Sequence, residues 1–370
     1  MKIAAICALP TGLNPGMLSV DLALDNIIER TNLDVNLTKF SVESPLQIEN
    51  GDNHLNYELL KNVEQLKEFD VILFWGDFLH WIRYAKHDFL IRERQRSKHL
   101  SDNEIIDKWY KLLLLENSPE LQSRSIIFGS TLYGLNSLDL IDSRYISAIK
   151  SLYTNAKLIM MRDIMSTNFI SQLINKTNIN LGCDCALFLE LKNLENKKAN
   201  ISDNYIITSF ARSDGNLVLL SFANLLARIS NKKMINIPWL DNSGIKGLKE
   251  KINLIRGADF VLTDIYHLSV TALREHTPTL CFGKGASIIE TSLSDKKKEI
   301  FFAQHYAFAN YIYFESVYKA IISNKLSKKL ATDLLDLLLN DNSNNFIFNN
   351  LDTHIEKTKN NLIKALQSSR

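Results

Sequence analysis

The sequence predicts an α/β protein made of two successive Rossmann-like domains followed by a helical tail. Short apolar runs alternate with longer amphipathic segments, which is typical of parallel strands separated by helices. The alternation stops in a polar, charged segment at residues 192–203 and then starts again, which indicates a linker between two domains. The length of 370 residues also fits about two domains.

The first domain is predicted over residues 1–191. Its strands are the short apolar runs Lys2–Leu9, Asp34–Phe40, Val71–Trp75, Ser125–Phe128, Lys157–Met161 and Asn178–Leu181. Between them, apolar residues recur at the spacing of an amphipathic helix around Leu18–Ile28, Leu59–Leu66, Ile105–Leu113 and Ile146–Leu152. This order of elements predicts a parallel sheet with helices on its faces.

The second domain is predicted over residues 204–345, and a C-terminal helix over residues 346–370. Its strands are Tyr205–Phe210, Lys233–Ile237, Phe260–Thr263 and Thr279–Phe282, and its helices are Leu217–Ile229, Ile245–Arg256 and His267–Arg274. Two consecutive α/β domains, a charged connector and a helical tail favour the GT-B architecture of transferases. In that architecture two Rossmann-like domains face a cleft.

Composition and charge exclude several classes of protein. Lys and Arg number 43 and Asp and Glu 41, with both signs interspersed, so no nucleic-acid partner is expected. No run approaches the ~18 apolar residues of a membrane-spanning helix, so only peripheral membrane association stays open. The four cysteines lie in or beside apolar runs, and Cys183 and Cys185 lack zinc-ligand spacing, so no metal site is predicted. Buried, reduced thiols predict a cytoplasmic protein.

In α/β sheets, ligands bind beyond the carboxyl ends of the strands, so the residues after each strand are the informative ones. After the first strand, Asn14 and Gly16 stand in a turn rich in glycine and proline. The following helix can direct its free N–H groups at an anion. The spacing differs from GxGxxG, so no dinucleotide site is indicated. A plain strand-to-helix turn is the alternative.

The third predicted strand runs into Gly76, Asp77 and His80, which are flanked by Trp75 and Trp81. Glycine at a strand end permits close backbone approach. A carboxylate that binds hydroxyl groups, beside aromatic faces that cover a ring, suits a sugar. The alternative is an aspartate that caps a helix among packed aromatic side chains.

Two arginines follow predicted strands directly. Arg162 comes after the fifth strand of the first domain, and Arg212 comes after the first strand of the second. The planar guanidinium at such a position suits a phosphate or a carboxylate. The structural alternative for Arg162 is an ion pair with Asp163, which would also cap the next helix.

Asp264 and His267 stand at the end of a strand in the second domain. A histidine there can exchange a proton near neutral pH, which makes it a candidate general acid or base. A structural histidine is the alternative. Lys284 lies in a glycine–lysine–glycine loop after the next strand, where it can contact a phosphate.

Several short motifs occur along the chain in the same order as in one protein family. They are Asn14-Pro15-Gly16, Arg162-Asp163 with Ser166, Asp184-Cys185-Ala186, Gly257–Ser269 continuing to Thr277-Pro278-Thr279, and Lys296-Lys297-Lys298. In this order they resemble the polysaccharide pyruvyl transferase family. Its hallmark is an apolar strand, then Arg-x-His opening a helix, then a Gly-x-Pro turn. Ile265 stands where that family has the arginine.

The resemblance implies a GT-B-like transferase without a resident cofactor. Phosphoenolpyruvate would be the co-substrate, and a sugar hydroxyl pair on a surface glycan or on a lipid- or nucleotide-linked sugar would be the acceptor. Donor binding would fall to Arg162, Arg212, His267 and Lys284, with His267 and Asp264 as catalytic residues. The first domain would bind the acceptor through Asn14, Gly16, Gly76, Asp77 and His80.

Two other functions stay open at this point. The replacement of the arginine by Ile265 favours a GT-B-type glycosyltransferase of the same pathway, whose nucleotide-sugar diphosphate would contact the Lys284 loop. A carbohydrate-binding or scaffold subunit of the assembly machinery is the non-enzymatic alternative. The sequence leaves the acceptor sugar and its linkage undefined.

Overall fold

The computed structural model describes residues 1–8, 14–42, 56–132, 139, 141–175, 179–191, 204–211, 216–241, 243–283, 293–304, 311–313 and 328–369. The chain divides into two compact units. Unit 1 comprises Met1–Thr11, Met17–Leu189 and Glu356–Arg370, and unit 2 comprises Gly12–Gly16 and Glu190–Ile355. The chain therefore leaves unit 1 after Leu189, and the predicted linker at 192–203 lies outside the described residues.

Unit 1 contains a parallel sheet of seven strands in the order β3-β2-β1-β4-β5-β6-β7. The strands are β1 (Lys2–Cys7), β2 (Asn36–Ser41), β3 (Tyr57–Leu59), β4 (Val71–Asp77), β5 (Ser125–Ser130), β6 (Leu158–Met161) and β7 (Asn180–Leu181). The strand order reverses between β1 and β4, as in doubly wound folds. Because helices cover both faces of such a sheet, its central strands are apolar along their length.

Helices connect the strands of unit 1. They are Pro15–Arg30, Ile82–Tyr84, Leu90–Arg96, Asp102–Leu113, Pro119–Ser123, Ser143–Asn155 and Ile164–Ile174, with a π-helical turn at Ala85–Phe89 and 3-10 turns at Val63–Leu66 and Cys185–Phe188. Side-chain caps fix several of these starts. Asp142 accepts from the Tyr145 N–H at 3.1 Å, and Asp163 accepts from the Ser166 N–H at 2.8 Å.

Unit 2 contains a parallel sheet of five strands in the order β12-β11-β10-β8-β9. They are β8 (Tyr205–Ser209), β9 (Lys233–Asn236), β10 (Phe260–Thr263), β11 (Thr279–Gly283) and β12 (Tyr311–Tyr313). Its helices are Asn216–Ile229, Gly244–Gly257, Tyr266–Arg274, Leu293–Gln304, Lys328–Leu338 and the first part of Asp341–Gln367. Here the strand order reverses between β8 and β10, so the carboxyl ends of these two strands mark the expected site.

Aromatic side chains fill the core of each unit. In unit 1, Trp75 stacks on Phe128 with ring centroids 5.2 Å apart, and its indole N–H donates to the Val20 carbonyl at 2.7 Å. In unit 2, the rings of Phe210 and Phe222 both pack edge-on against Phe282. All four cysteines are buried free thiols, as the sequence predicts.

Each predicted strand is present in the structure, and the α/β class is confirmed. Two strands were not predicted, β3 and β12, which are three-residue strands at sheet edges. The segment Leu59–Leu66, whose apolar spacing predicts a helix, does not form an α-helix. It consists of the end of β3 and the 3-10 turn Val63–Leu66. Strands of three residues, such as β3 and β12, are too short to produce an apolar run, so sequence periodicity does not predict them.

A buried acid lies beside the sheet of unit 1. Asp21 on the helix Pro15–Arg30 is 1% exposed. The groups that face it are the Tyr57 hydroxyl, which donates to Asp21 Oδ2, the Cys7 thiol, and the Lys39 ammonium paired with Asp25 at 2.7 Å. Burial outweighs the hydrogen bonds and raises the pKa of Asp21 to about 7. The folded protein therefore keeps this carboxyl protonated at pH values where an unfolded chain would ionise it.

This acid makes stability depend on pH with a definite sign. The stabilising contribution of Asp21 is fully present below the unfolded pKa of about 3.9 and is lost as the pH rises through about 7. The loss amounts to about 4 kcal/mol at 1.36 kcal/mol per pKa unit. We expect Asp21→Asn to lose less stability than the wild type between pH 5 and pH 8, measured by urea unfolding. The exposed Asp88→Asn is the control, and equal slopes for all three proteins would contradict the prediction.

Candidate functional site

The strand-order reversal of unit 2 brings together the ends of β8 and β10. β10 ends at Thr263, and Asp264 and His267 follow it directly. The Thr263 hydroxyl donates to the Ser209 carbonyl at the end of β8, at 2.7 Å. The hydroxyl oxygen of Thr263 also accepts a hydrogen bond from the Ile265 N–H at 3.0 Å. The turn that leads from β10 into the next helix is therefore attached to the neighbouring strand.

Asp264 strengthens this attachment. Its side chain is 1% exposed, and Oδ1 accepts from the backbone N–H of Ala211, just beyond β8, at 2.9 Å. A buried carboxylate is tolerated only where it is hydrogen-bonded, so this bond has to persist. The carboxylate of Asp264 thus holds two strand ends in place within the predicted site.

Two lysines from the helix Leu293–Gln304 reach the end of β10. Lys298 is 2% exposed, and its ammonium donates to the carbonyls of Asp264 at 3.0 Å and Phe282 at 2.7 Å. The ammonium of Lys297 lies 4.2 Å from the ring centroid of Tyr266, within the range of a cation–π interaction. The positions of these lysines in the sequence did not predict a role for them. The order of the Lys296-Lys297-Lys298 segment in the family resemblance was the one available signal.

His267 lies in the first turn of the helix Tyr266–Arg274 and is 9% exposed. Its ring packs edge-on against the Tyr266 ring with centroids 5.0 Å apart. Gly16, which groups with unit 2, packs directly against the imidazole. The structure therefore brings two predicted site residues together, Gly16 and His267, although the sequence analysis assigned them to opposite substrates.

The glycine at the end of β4 packs closely against other parts of unit 1. Gly76 has φ +80°, and Gly129 in β5 has φ +69°, a conformation that favours glycine. A Cβ at Gly129 would lie 2.6 Å from the Cys185 Sγ, and one at Gly76 would lie 3.4 Å from it. Both glycines thus make room for Cys185. Asp77 ends β4, and its side chain lies outside the described part of the structure.

His80 lies in the core of unit 1. Its side chain is fully buried, Nδ1 is 3.0 Å from the Tyr153 hydroxyl, and the ring packs edge-on against Phe74. Burial lowers the pKa of His80 to about 3, so the ring is neutral. This position matches the alternative of packed aromatic side chains. The acceptor-binding role of His80 stays a prediction that this buried position does not support.

Arg162 forms an ion pair within unit 1. Its guanidinium is 6% exposed and lies 3.5 Å from the Asp184 carboxylate, which is itself buried. Asp163 caps the helix Ile164–Ile174, as the structural alternative predicts, and also accepts from the Thr131 hydroxyl at 2.6 Å. Asp184 is thus a partner of Arg162. The donor-binding role of Arg162 stays a prediction.

Two predicted donor-binding residues, Arg212 and Lys284, lie outside the described residues. In the part of the chain that is described, no three His, Cys, Asp or Glu side chains are grouped so as to hold a metal ion. None of the described helices combines the length and apolar character needed to cross a membrane.

Two doubly wound α/β units define a GT-B-like fold, and solved structures of that class are similar to this chain. One is the UDP-GlcNAc 2-epimerase of Neisseria meningitidis bound to UDP-GlcNAc, with a TM-score of 0.51, 11% identity and full coverage of both chains. Another, from Listeria monocytogenes, is provisionally assigned as a UDP-N-acetylglucosamine 2-epimerase. It has a TM-score of 0.53 and 11% identity over 99% of this chain and 96% of that chain. At this identity the similarity concerns the fold alone.

The sequence profile of the family described as polysaccharide pyruvyl transferase matches residues 22–284, which is more than half of the chain. The chain belongs to the polysaccharide pyruvyl transferase family, and it is a transferase. No curated protein sequence matches it. The family resemblance and the GT-B-like fold that the sequence predicts are thus both confirmed.

The buried Arg162–Asp184 pair generates a prediction about stability. Arg162→Met would leave the Asp184 carboxylate buried without its guanidinium, which typically costs 3–5 kcal/mol, on the order of a third of a domain's stability. We expect the double variant Arg162→Met/Asp184→Asn to recover most of that loss, because the amide keeps the Oδ1 that accepts from the Ala186 N–H. Denaturant unfolding of the wild type, both single variants and the double variant measures this. Equal stability of Arg162→Met and the wild type would show that the pair contributes nothing.

Proposed function

We propose that this transferase moves a pyruvyl group from phosphoenolpyruvate to a pair of hydroxyl groups on a glycan or an activated sugar during surface-polysaccharide assembly. The observation that carries the proposal is the position of His267 and Asp264 beyond β10, at the strand-order reversal of unit 2, in a member of this family. We place the reaction in the cytoplasm as part of the same proposal.

The reaction requires two proton movements. Two acceptor oxygens form bonds to C2 of phosphoenolpyruvate, and the bond from C2 to the phosphate oxygen breaks. One hydroxyl proton goes to the methylene carbon C3, which becomes a methyl group, and the other leaves with inorganic phosphate. A histidine that alternates between its neutral and charged forms near neutral pH suits the transfer between a hydroxyl and C3. We assign that transfer to His267.

Asp264 acts on this histidine through the backbone. Its carboxylate is engaged with the Ala211 N–H, so its role is to hold the turn that presents His267. The sequence analysis grouped Asp264 with the catalytic residues. In the proposal it is a positioning residue, because its Oδ1 accepts from a backbone N–H beyond the neighbouring strand.

The donor carries a carboxylate and a phosphate, so a desolvated site needs at least two cationic partners. We assign Arg212 and Lys284 to the donor, since both follow strands that end at this edge of unit 2. Lys297, beside Tyr266 and next in sequence order to the buried Lys298, supports the proposal with a further positive charge. Lys284 and Lys297 supply positive charge in place of the arginine that the family has at the position of Ile265.

The direct experiment uses the purified full chain with isotope-labelled phosphoenolpyruvate and a panel of glycan, nucleotide-linked and lipid-linked sugars. We expect acceptor-dependent phosphate release together with transfer of the label to the sugar. No binding of phosphoenolpyruvate at millimolar concentration, combined with a higher melting temperature in a nucleotide sugar, would replace the proposal with a glycosyltransferase reaction.

His267→Gln separates catalysis from packing. Glutamine keeps hydrogen-bonding capacity but relays no proton at neutral pH, so we expect kcat to fall by roughly 10²–10⁴-fold with little change in melting temperature. The control is His276→Gln, because His276 is half-exposed and pairs with Asp352 at 3.0 Å. A melting temperature several degrees lower with normal activity per folded molecule would show instead that His267 is a structural histidine.

A further inference from the structure

Gly16 and His267 are in close contact. An ideal Cβ built on Gly16 would lie 2.5 Å from the Cβ of His267. It would lie even closer to the Cγ and Nδ1 atoms of the His267 ring. Real Cβ atoms essentially never approach another heavy atom within 3.0 Å. Any side chain at position 16 therefore requires that the imidazole, or the backbone that carries it, move.

Rotation of the imidazole alone cannot relieve this contact, because the Cβ of His267 is one of the three atoms involved. The backbone before the histidine is also held in place. Thr263 accepts from the Ile265 N–H, and Lys298 donates to the Asp264 carbonyl. A methyl group at position 16 must therefore either displace His267 or break bonds that hold the turn after β10.

The glycine is equally constrained on its own side. Its N–H donates to the Asn14 side-chain oxygen at 3.1 Å, and the neighbouring Pro15 and Met17 are buried. Proline at the start of a helix has a fixed φ angle near −65°, which limits backbone adjustment there. The segment Asn14–Gly16, which belongs to unit 2, therefore cannot easily move away from the imidazole.

We propose that Gly16 is a positioning residue for His267: the absent side chain sets where the imidazole lies. Gly16 then acts through the histidine, not through contact with the acceptor sugar that the sequence analysis assigned to it. The consequence for turnover rests on the proposed function, whereas the positioning itself does not.

The stability test uses Gly16→Ala, His267→Gly and the double variant, each as the full chain. We expect Gly16→Ala to lower the melting temperature by several degrees. In the His267→Gly background the same change should cost no melting temperature, because removal of the ring together with its Cβ leaves room for the methyl group. If Gly16→Ala alone fails to fold, recovery of folding in the double variant supports the proposal. An equal loss in both backgrounds, or a double variant that also fails to fold, would overturn it.

The activity test measures kcat and KM separately. We expect Gly16→Ala to lower kcat at least tenfold, with a smaller change in the KM for the acceptor, and to cause no further loss when His267 is already glycine. A rise in the acceptor KM of the same factor in both backgrounds would indicate direct contact with the sugar and overturn the proposal. Leu18→Ala, two residues further along the same helix, is the matched control and should act independently of His267.

A third measurement requires no turnover. The ring carbon–proton signal of His267, assigned by its loss in His267→Ala among the eight histidines, should shift in Gly16→Ala and stay in place in Leu18→Ala. If the wild type transfers no pyruvyl group, the proposed function fails while this signal and the melting temperatures still decide the role of Gly16. An unchanged His267 signal in Gly16→Ala would overturn the positioning role alone.

Discussion

At the carboxyl end of β10, Asp264 connects three strands of unit 2. Its carboxylate accepts from the Ala211 N–H beyond β8, and its carbonyl accepts from the Lys298 ammonium, which also bonds to the Phe282 carbonyl of β11. Both charged groups are almost completely buried, so their hydrogen bonds offset the cost of taking each charge out of water. The turn they hold is the one that presents His267, and the candidate chemistry of this transferase therefore depends on it.

In unit 1 the polar residues at the strand ends form hydrogen bonds and ion pairs with other buried residues of the same unit. Arg162 pairs with Asp184, Asp163 caps a helix, and His80 is bonded to Tyr153. These bonds stabilise the sheet edge, because buried polar groups contribute to a fold only when they are satisfied. The chemistry that the described residues support is consequently concentrated in unit 2, where His267 follows a strand end and lysine side chains lie nearby.

The strand-forming segments could be predicted because each central strand is buried on both faces and reads as an apolar run. The edge strands β3 and β12 could not, since three residues are too few to make a pattern. The site was predicted in part. A histidine after a strand is visible in the sequence at both His80 and His267, yet only packing distinguishes the core ring of His80 from the ring at the end of β10.

The sequence by itself determined the α/β class and the positions of most strands, and the order of its short motifs indicated the family. The class and the strand positions follow from short-range physics, namely residue periodicity and capping side chains within a few residues of each other. The tertiary structure alone decided that Gly16 lies against His267 and that Lys298 bonds to Asp264. Such contacts join residues far apart in the chain, and they depend on the strand order of the sheet, which local patterns do not encode.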